Sequence, residues 1–161
     1  MAMIEDYRSA LRAGQRAYRA CVARGQSPYL AVLDDILNGV NIVAQEPLGL
    51  VDIPAESIVG TKTSGRHTAF AANFMPLLEE DTEFAIKWSN LCEAHLEEGI
   101  HTPIIAYEYL NKFYVQEGNK RVSVLKSTRR SPFRARSPGL FRPGTTRWKT
   151  RSTTSFLIFI S

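Results

Sequence analysis

A strand, a turn and the start of a helix follow one another between residues 113 and 125, and the turn carries two cations. Gly118 and Asn119 form the turn, and Lys120 and Arg121 follow it. A glycine lets the backbone approach a ligand closely, and the unpaired N–H groups at a helix N-terminus favour an anion. Two cations oppose the helix dipole there, a conflict that a bound phosphate would remove. The pattern is equally consistent with an anion-binding site at this turn and with a structural turn that carries two solvated cations.

A second glycine-containing loop has the spacing of a phosphate-binding P-loop but not its chemistry. Gly60 and Gly65 are correctly spaced, but Arg66 and His67 stand where a P-loop needs lysine and then serine or threonine. We therefore expect a solvated polar loop at 60–65. Arg66 remains a candidate for a second contact to an anion.

Residues able to do acid–base, nucleophilic or metal chemistry are sparse. Glu117 is the single acidic residue beside the turn, and a lone glutamate at a strand end is more typical of a solvated side chain than of a catalytic base. No cluster of cysteine, histidine and carboxylate has metal-site spacing, so no metal site is predicted. Cys21 and Cys92 fall on apolar helix positions, which favours buried free thiols in a reducing cytoplasm.

The elements around the turn follow from apolar periodicity and turn residues. They are short strands at 48–53 and 57–59, a helix at 81–98, a hairpin with strands at 104–109 and 113–116, and a helix that begins after residue 118. Asp81 is predicted to cap the 81–98 helix, and Gly99 to end it.

The N-terminal segment has the apolar spacing of two helices, at 3–24 and about 28–43. They predict an antiparallel helical hairpin. Its second helix carries Asp34 and Asp35 and neither lysine nor arginine, so we do not expect the pair to read DNA.

Net charge is unevenly distributed along the 161 residues. The formal charge of +4 divides into −4 over residues 1–126 and +8 over residues 127–161, where eight basic residues meet no acidic one. The division argues against a general nucleic-acid-binding surface on the body. The first 25 residues lack the apolar segment of a signal peptide, so we expect no secretory signal, and the longest apolar run, 156–160, is far shorter than the roughly 20 residues that span a membrane. We expect a cytoplasmic protein without a membrane partner.

Residues 52–126 resemble the ParB/sulfiredoxin-like domain, also called the ParB-like nuclease domain. The resemblance is carried by an opening Ile53-Pro54, a following arginine at 66, a helix ending in Gly99, a Pro103-Ile104 step, a strand pair and the Gly-x-x-Arg turn at 118–121. Within this family the chain is most similar to an N-terminal module that precedes periplasmic-type substrate-binding domains.

The resemblance implies a function for the turn. In the family this turn holds nucleotide phosphates, CTP in chromosome-partitioning members and ATP in sulfiredoxins. It therefore implies that residues 118–121, with Arg66, contact a nucleotide, with CTP, ATP and accompanying Mg²⁺ as candidates and DNA as a candidate partner. The sulfiredoxin nucleophile is replaced by Asn119, and the partitioning members' glutamate and downstream DNA-reading domain are absent. No catalytic activity is assigned on this basis.

Composition changes sharply after Lys126. The family places a strand after the helix that follows the turn, but residues 127–161 are rich in Arg, Ser, Thr, Pro and Gly and lack a helical or strand period. We expect this tail to be non-native, from a displaced reading frame or a truncation. The alternative is a disordered basic arm that binds nucleic acid.

These observations predict an α+β protein with a helical hairpin at 1–46, a small mixed-sheet ParB/sulfiredoxin-like domain at 47–126 and a disordered tail at 127–161. The expected function is a nucleotide- or phosphate-binding regulatory module associated with DNA. One alternative is a nuclease or nucleotide hydrolase that uses Glu117 and a divalent metal. The other is an interaction domain without a ligand, in which the hairpin docks a second copy of the chain or another protein.

Overall fold

The computed structural model describes residues 2–40, 51–99, 102–128 and 158–160, and it is an α+β structure, as predicted. In chain order the elements are α1 (Ala2–Ala23), β1 (Ala31–Val32), α2 (Leu33–Ile36), β2 (Val51–Ile53), β3 (Ile58–Thr61), α3 (Glu83–Glu98), β4 (Ile105–Tyr109), β5 (Lys112–Glu117), α4 (Asn119–Ser127) and β6 (Ile158–Ile160). Two 3-10 segments lie between them, at Ala55–Ser57 and Ser64–Ala69.

The main sheet is mixed and has the strand order β1-β3-β5-β4. β3 is parallel to both of its neighbours, with Gly60 opposite Ala31 on one side and Tyr114 on the other. β4 and β5 form the predicted antiparallel hairpin. Its turn residues, Leu110 and Asn111, both have positive φ (52° and 67°), the combination that suits the right-handed twist of a two-residue hairpin. β2 pairs separately with β6, in parallel.

The core lies where α1, α3 and α4 meet the sheet. Tyr7 of α1 and Trp88 of α3 are both fully buried, with ring centroids 5.4 Å apart in an edge-to-face contact. The indole Nε1 of Trp88 donates a 2.8 Å hydrogen bond to the hydroxyl of Ser123 in α4. Cys21 and Cys92 are buried and not disulfide-bonded, as the sequence predicts. α3 therefore connects α1 to the element that carries the predicted phosphate turn.

The prediction of a second helix at about 28–43 is wrong. Residues 31–32 form a strand, and only Leu33–Ile36 is helical. Leu30 and Val32 are buried while Ala31 between them is exposed, an alternation of period two that suits a strand beside β3. The backbone groups of residues 31–32 are therefore hydrogen-bonded to β3, whereas in a helix they would be bonded within the same segment. Residues 41–50, which include part of the predicted strand at 48–53, lie outside the described residues.

The predicted cap of α3 is also wrong, by one residue. The hydroxyl of Thr82, not the carboxylate of Asp81, accepts a 3.2 Å hydrogen bond from the Ala85 N–H. Thr82 has the extended backbone (φ −89°, ψ 155°) that aims its side chain at the helix N-terminus. Gly99 ends the helix with φ 84°, as predicted.

Most of the predicted tail, residues 129–157 and 161, lies outside the described residues. α4 continues to Ser127, and Ile158–Ile160 forms β6. Within the part of the chain that the structure describes, no helix is both long and apolar enough to span a membrane.

Candidate anion-binding cleft

An open cleft of about 420 Å³ lies between the 3-10 segment Ser64–Ala69, α3 and the start of α4. Every site residue singled out from the sequence contributes to its lining, both the stretch 117–121 and the distant Arg66. Lys87 of α3 adds a second cation from outside the turn, and an apolar wall includes Phe84 and Leu91. The fold therefore brings together residues that are about 50 positions apart in sequence.

The turn at Gly118 can be made only by glycine without rearrangement. Its φ is 108°, and a Cβ built there would lie 2.6 Å from Cγ2 of the buried Ile104. The first intrahelical hydrogen bond of α4 runs from the Val122 N–H to the Gly118 carbonyl at 3.0 Å. The three N–H groups of 119–121 precede that bond and therefore have no partner within the helix. Glycine at the N-cap has no side chain to accept a hydrogen bond from them.

Positive charge is concentrated at this helix N-terminus. Burial lowers the pKa of Lys120, and the nearby cations Arg66 and Lys87 lower it further, while Glu83 partly offsets them. The Lys120 Nζ lies 5.3 Å from the ring centroid of Phe84. Lys87 pairs with Glu83 at 2.8 Å, and both side chains of that pair are exposed to solvent. Like charges thus crowd a partly buried lysine, an arrangement that a bound anion would relieve.

Arg121 is engaged by the protein's own backbone. Its Nη1 donates to the carbonyls of Thr102 (3.1 Å) and Pro103 (2.6 Å), the residues that lead into β4. Burial lowers the pKa of Arg121, and Glu117 acts in the opposite direction. Arg121 contributes to the lining of the cleft, and its guanidinium is bonded to the segment that leads into β4.

The side chain of Asn119 connects α4 to the sheet. Its Nδ2 donates a 3.3 Å hydrogen bond to the Thr61 hydroxyl, which itself donates to the Val115 carbonyl at 3.0 Å. Two buried amide oxygens of the cleft lining, Oδ1 of Asn119 and Oε1 of Gln116, have no hydrogen-bond partner among the described residues. Such buried acceptors are costly unless a further donor is supplied.

The loop that resembles a P-loop has a different structure. Gly60 belongs to β3, and Ser64–Ala69 forms a 3-10 segment that is interrupted at Arg66, whose φ of −133° is not helical. His67 Nδ1 contacts the Ser64 carbonyl at 2.7 Å. The predicted solvated loop is therefore partly strand and partly 3-10 turn.

Two features of the cleft did not emerge from the sequence, Lys87 and the apolar wall. Phe84, Lys87 and Leu91 are spaced three and four residues apart on α3, so they share one helix face. That spacing was visible, but only the packing of α3 against α4 shows that the face meets the turn.

Glu117 lies exposed at the rim of the cleft. Across the described residues, no group of three histidine, cysteine, aspartate or glutamate side chains could hold a metal ion. Within those residues, Glu117 therefore belongs to no three-ligand group.

Backbone N–H groups, cations and an apolar wall together suit an anionic group attached to a less polar body.

Comparisons with protein-family models, with curated proteins and with solved structures find no match to this chain.

Proposed function

We propose that the chain is a nucleotide- or phosphate-binding regulatory module of the ParB/sulfiredoxin-like type, with the phosphate held at the N-terminus of α4. The observation that carries the proposal is the convergence of Arg66, Lys87 and Lys120 on one helix N-terminus. Arg66, Lys87 and Lys120 come from three separate elements, and the pKa of Lys120 is lowered by its burial and further by the two other cations. Selection for stability alone would separate them, whereas an anion gives their proximity a use.

The residues of the cleft take different parts in this proposal. The N–H groups of 119–121 donate to phosphate oxygens, and the three cations balance the phosphate charge. Arg121 acts as a positioning residue, because its guanidinium is bonded to the carbonyls of Thr102 and Pro103. The apolar wall at Phe84 suits the nucleoside part of a nucleotide, and the resemblance makes CTP and ATP the first ligands to test.

The proposal includes no catalytic step. Asn119 stands where sulfiredoxins have their nucleophile, and its amide is bonded to Thr61. Glu117 is exposed at the rim, and no other carboxylate lines the cleft among the described residues. Binding without turnover is therefore the function that the geometry supports best.

Titration calorimetry of the full chain with CTP, ATP and inorganic phosphate tests the proposal. Lys120→Met and Arg66→Gln should each weaken binding by about tenfold or more, since a hydrogen bond to a charged group is worth about 1.5–3 kcal/mol. Lys112→Met is the matched control, because Lys112 is exposed at the start of β5 and outside the cleft lining. If no anion binds, or if Lys120→Met binds as tightly as Lys112→Met, the proposal is wrong.

A further inference from the structure

Helix α1 carries a row of arginines along one exposed face. Arg8, Arg12, Arg16 and Arg19 follow one another at intervals of four, four and three residues, which places them on one side of the helix. Arg8 is bonded to Glu80 and Glu5. In the ranges that the structure describes, no acidic side chain pairs with the other three, which are exposed. We call Arg12, Arg16 and Arg19 the arginine stripe.

The opposite face of α1 is already in use. Tyr7, Ala10 and Leu11 are buried, and α1 packs against α3 in the core. A helix that binds a membrane surface must insert its apolar face among the lipids. That face is not available here, so the arginine stripe is not the polar side of a membrane-bound helix.

A second cleft, of about 480 Å³, adjoins the C-terminal end of the stripe. Arg19 belongs to both, and the cleft is also lined by Gln15, Tyr18, Tyr29 and Thr68. The rings of the two tyrosines lie 5.8 Å apart in an edge-to-face contact. We call this the tyrosine cleft. It offers aromatic surface together with an amide and a hydroxyl, directly beside a row of cations.

We propose that the arginine stripe and the tyrosine cleft bind single-stranded nucleic acid. The stripe from Arg12 to Arg19 rises by about 10 Å, at about 1.5 Å per residue. A stacked strand carries one phosphate in about 3.4 Å, so about three phosphates match the three guanidinium groups. Aromatic side chains beside a cationic row are the usual means of holding unpaired bases without sequence preference.

The base would enter the tyrosine cleft, where it can contact Tyr18 and Tyr29 and form hydrogen bonds with Gln15 or Thr68. A duplex keeps its bases stacked and paired, so it could use the stripe but not the cleft. An acidic protein segment could also use the stripe, but it would leave the aromatic surface unexplained. The inference is independent of the phosphate site at α4, because the two clefts share no lining residue.

Fluorescence anisotropy of the full chain with labelled DNA and RNA oligonucleotides, single-stranded and duplex, tests this inference. Eight basic residues between 129 and 151 will add their own salt dependence, so the comparison is between variants. Changing all three stripe arginines to glutamine should reduce the slope of log K against log salt by about 2, at about 0.7 for each phosphate contact. Arg24→Gln removes one positive charge from an exposed arginine that lies outside the stripe and outside the lining of the tyrosine cleft, and it should change the slope little.

The tyrosine cleft has a separate measurement. Tyr18→Ala should weaken binding of a single strand by about tenfold and leave duplex binding unchanged, whereas Tyr18→Phe, which keeps the ring, should bind like the wild type. A wild-type slope in the triple glutamine variant would assign the binding to the basic tail and overturn the proposal. Equal effects of Tyr18→Ala on duplex and single-strand binding would overturn it as well. So would displacement of the labelled single strand by polyglutamate as effectively as by the unlabelled single strand. Comparison of the DNA and RNA strands then shows which sugar the surface prefers.

Discussion

Replacing Gly118 by alanine should destabilise the protein by about 2–5 kcal/mol. Its φ of 108° lies in the left-handed half of conformational space, which costs an alanine about 1–2 kcal/mol. The added Cβ would also lie 2.6 Å from the Cγ2 atom of Ile104. Ile104 is 1 % exposed and β-branched, so it has little freedom to rotate away. Overpacking of this kind costs a further 1–3 kcal/mol or so.

Urea denaturation of Gly118→Ala beside Gly25→Ala separates the two contributions. Gly25 also has a positive φ, 68°, but nothing lies within 4 Å of a Cβ built there. Gly25→Ala should therefore show the backbone cost alone, about 1–2 kcal/mol. Equal losses of unfolding free energy in both variants would refute the claim that Ile104 leaves no room for a side chain at position 118. If the claim holds, Gly118→Ala should also weaken phosphate binding, because the start of α4 must shift.

Three further variants test the cap, the core and the charge at the cleft. Thr82→Ala should lower the free energy of unfolding by about 1 kcal/mol while Asp81→Ala changes it by less than about 0.5, and the reverse order in urea denaturation would restore the cap predicted from sequence. Ser123→Ala leaves the buried indole N–H of Trp88 without its acceptor and should cost about 1–3 kcal/mol, so an unchanged urea midpoint would contradict the hydrogen bond's importance. Because the pKa of Lys120 is lowered in the folded chain, its charge opposes folding at neutral pH, and Lys120→Met should raise the urea midpoint there. The gain in urea midpoint should shrink as pH rises from the lowered pKa of Lys120 towards the ordinary value of 10.5. An equal gain at neutral pH and at about pH 10.5 would show that it does not arise from the charge.

Local patterns predicted the elements that depend on near neighbours. The helix Glu83–Glu98 has a sustained apolar period and a terminal glycine, and the β4–β5 hairpin joins two apolar runs through a short turn. β1 could not be predicted in this way. Its two residues become a strand because β3, about 30 residues later, offers a parallel partner. That long-range pairing makes the segment extended although its apolar spacing is helical.

The same distinction applies to the cleft. The turn at Gly118 was predictable because glycine and two cations are consecutive at the start of α4. The contribution of Lys87 was not, since it depends on how α3 packs against α4. Likewise, no pattern indicates that the guanidinium of Arg121 bonds to backbone carbonyls almost 20 residues earlier. Sequence motifs thus identified the turn and Arg66, and the packing determined which other residues line the cleft and which side chains are bonded to the protein's own backbone.

The parallel arrangement of the sheet has a consequence for synthesis on the ribosome. Gly60 of β3 pairs with Tyr114 of β5, 54 residues further along the chain. At about 5–20 residues translated per second, β3 waits about 3–11 seconds for that partner. Throughout this interval the apolar side of β3 is uncovered in the nascent chain, where it can attract chaperones or other unfinished chains. The candidate anion-binding cleft forms only afterwards, since its lining includes both Arg66 and the start of α4. Any ligand of this cleft could therefore bind only a chain whose central sheet is finished.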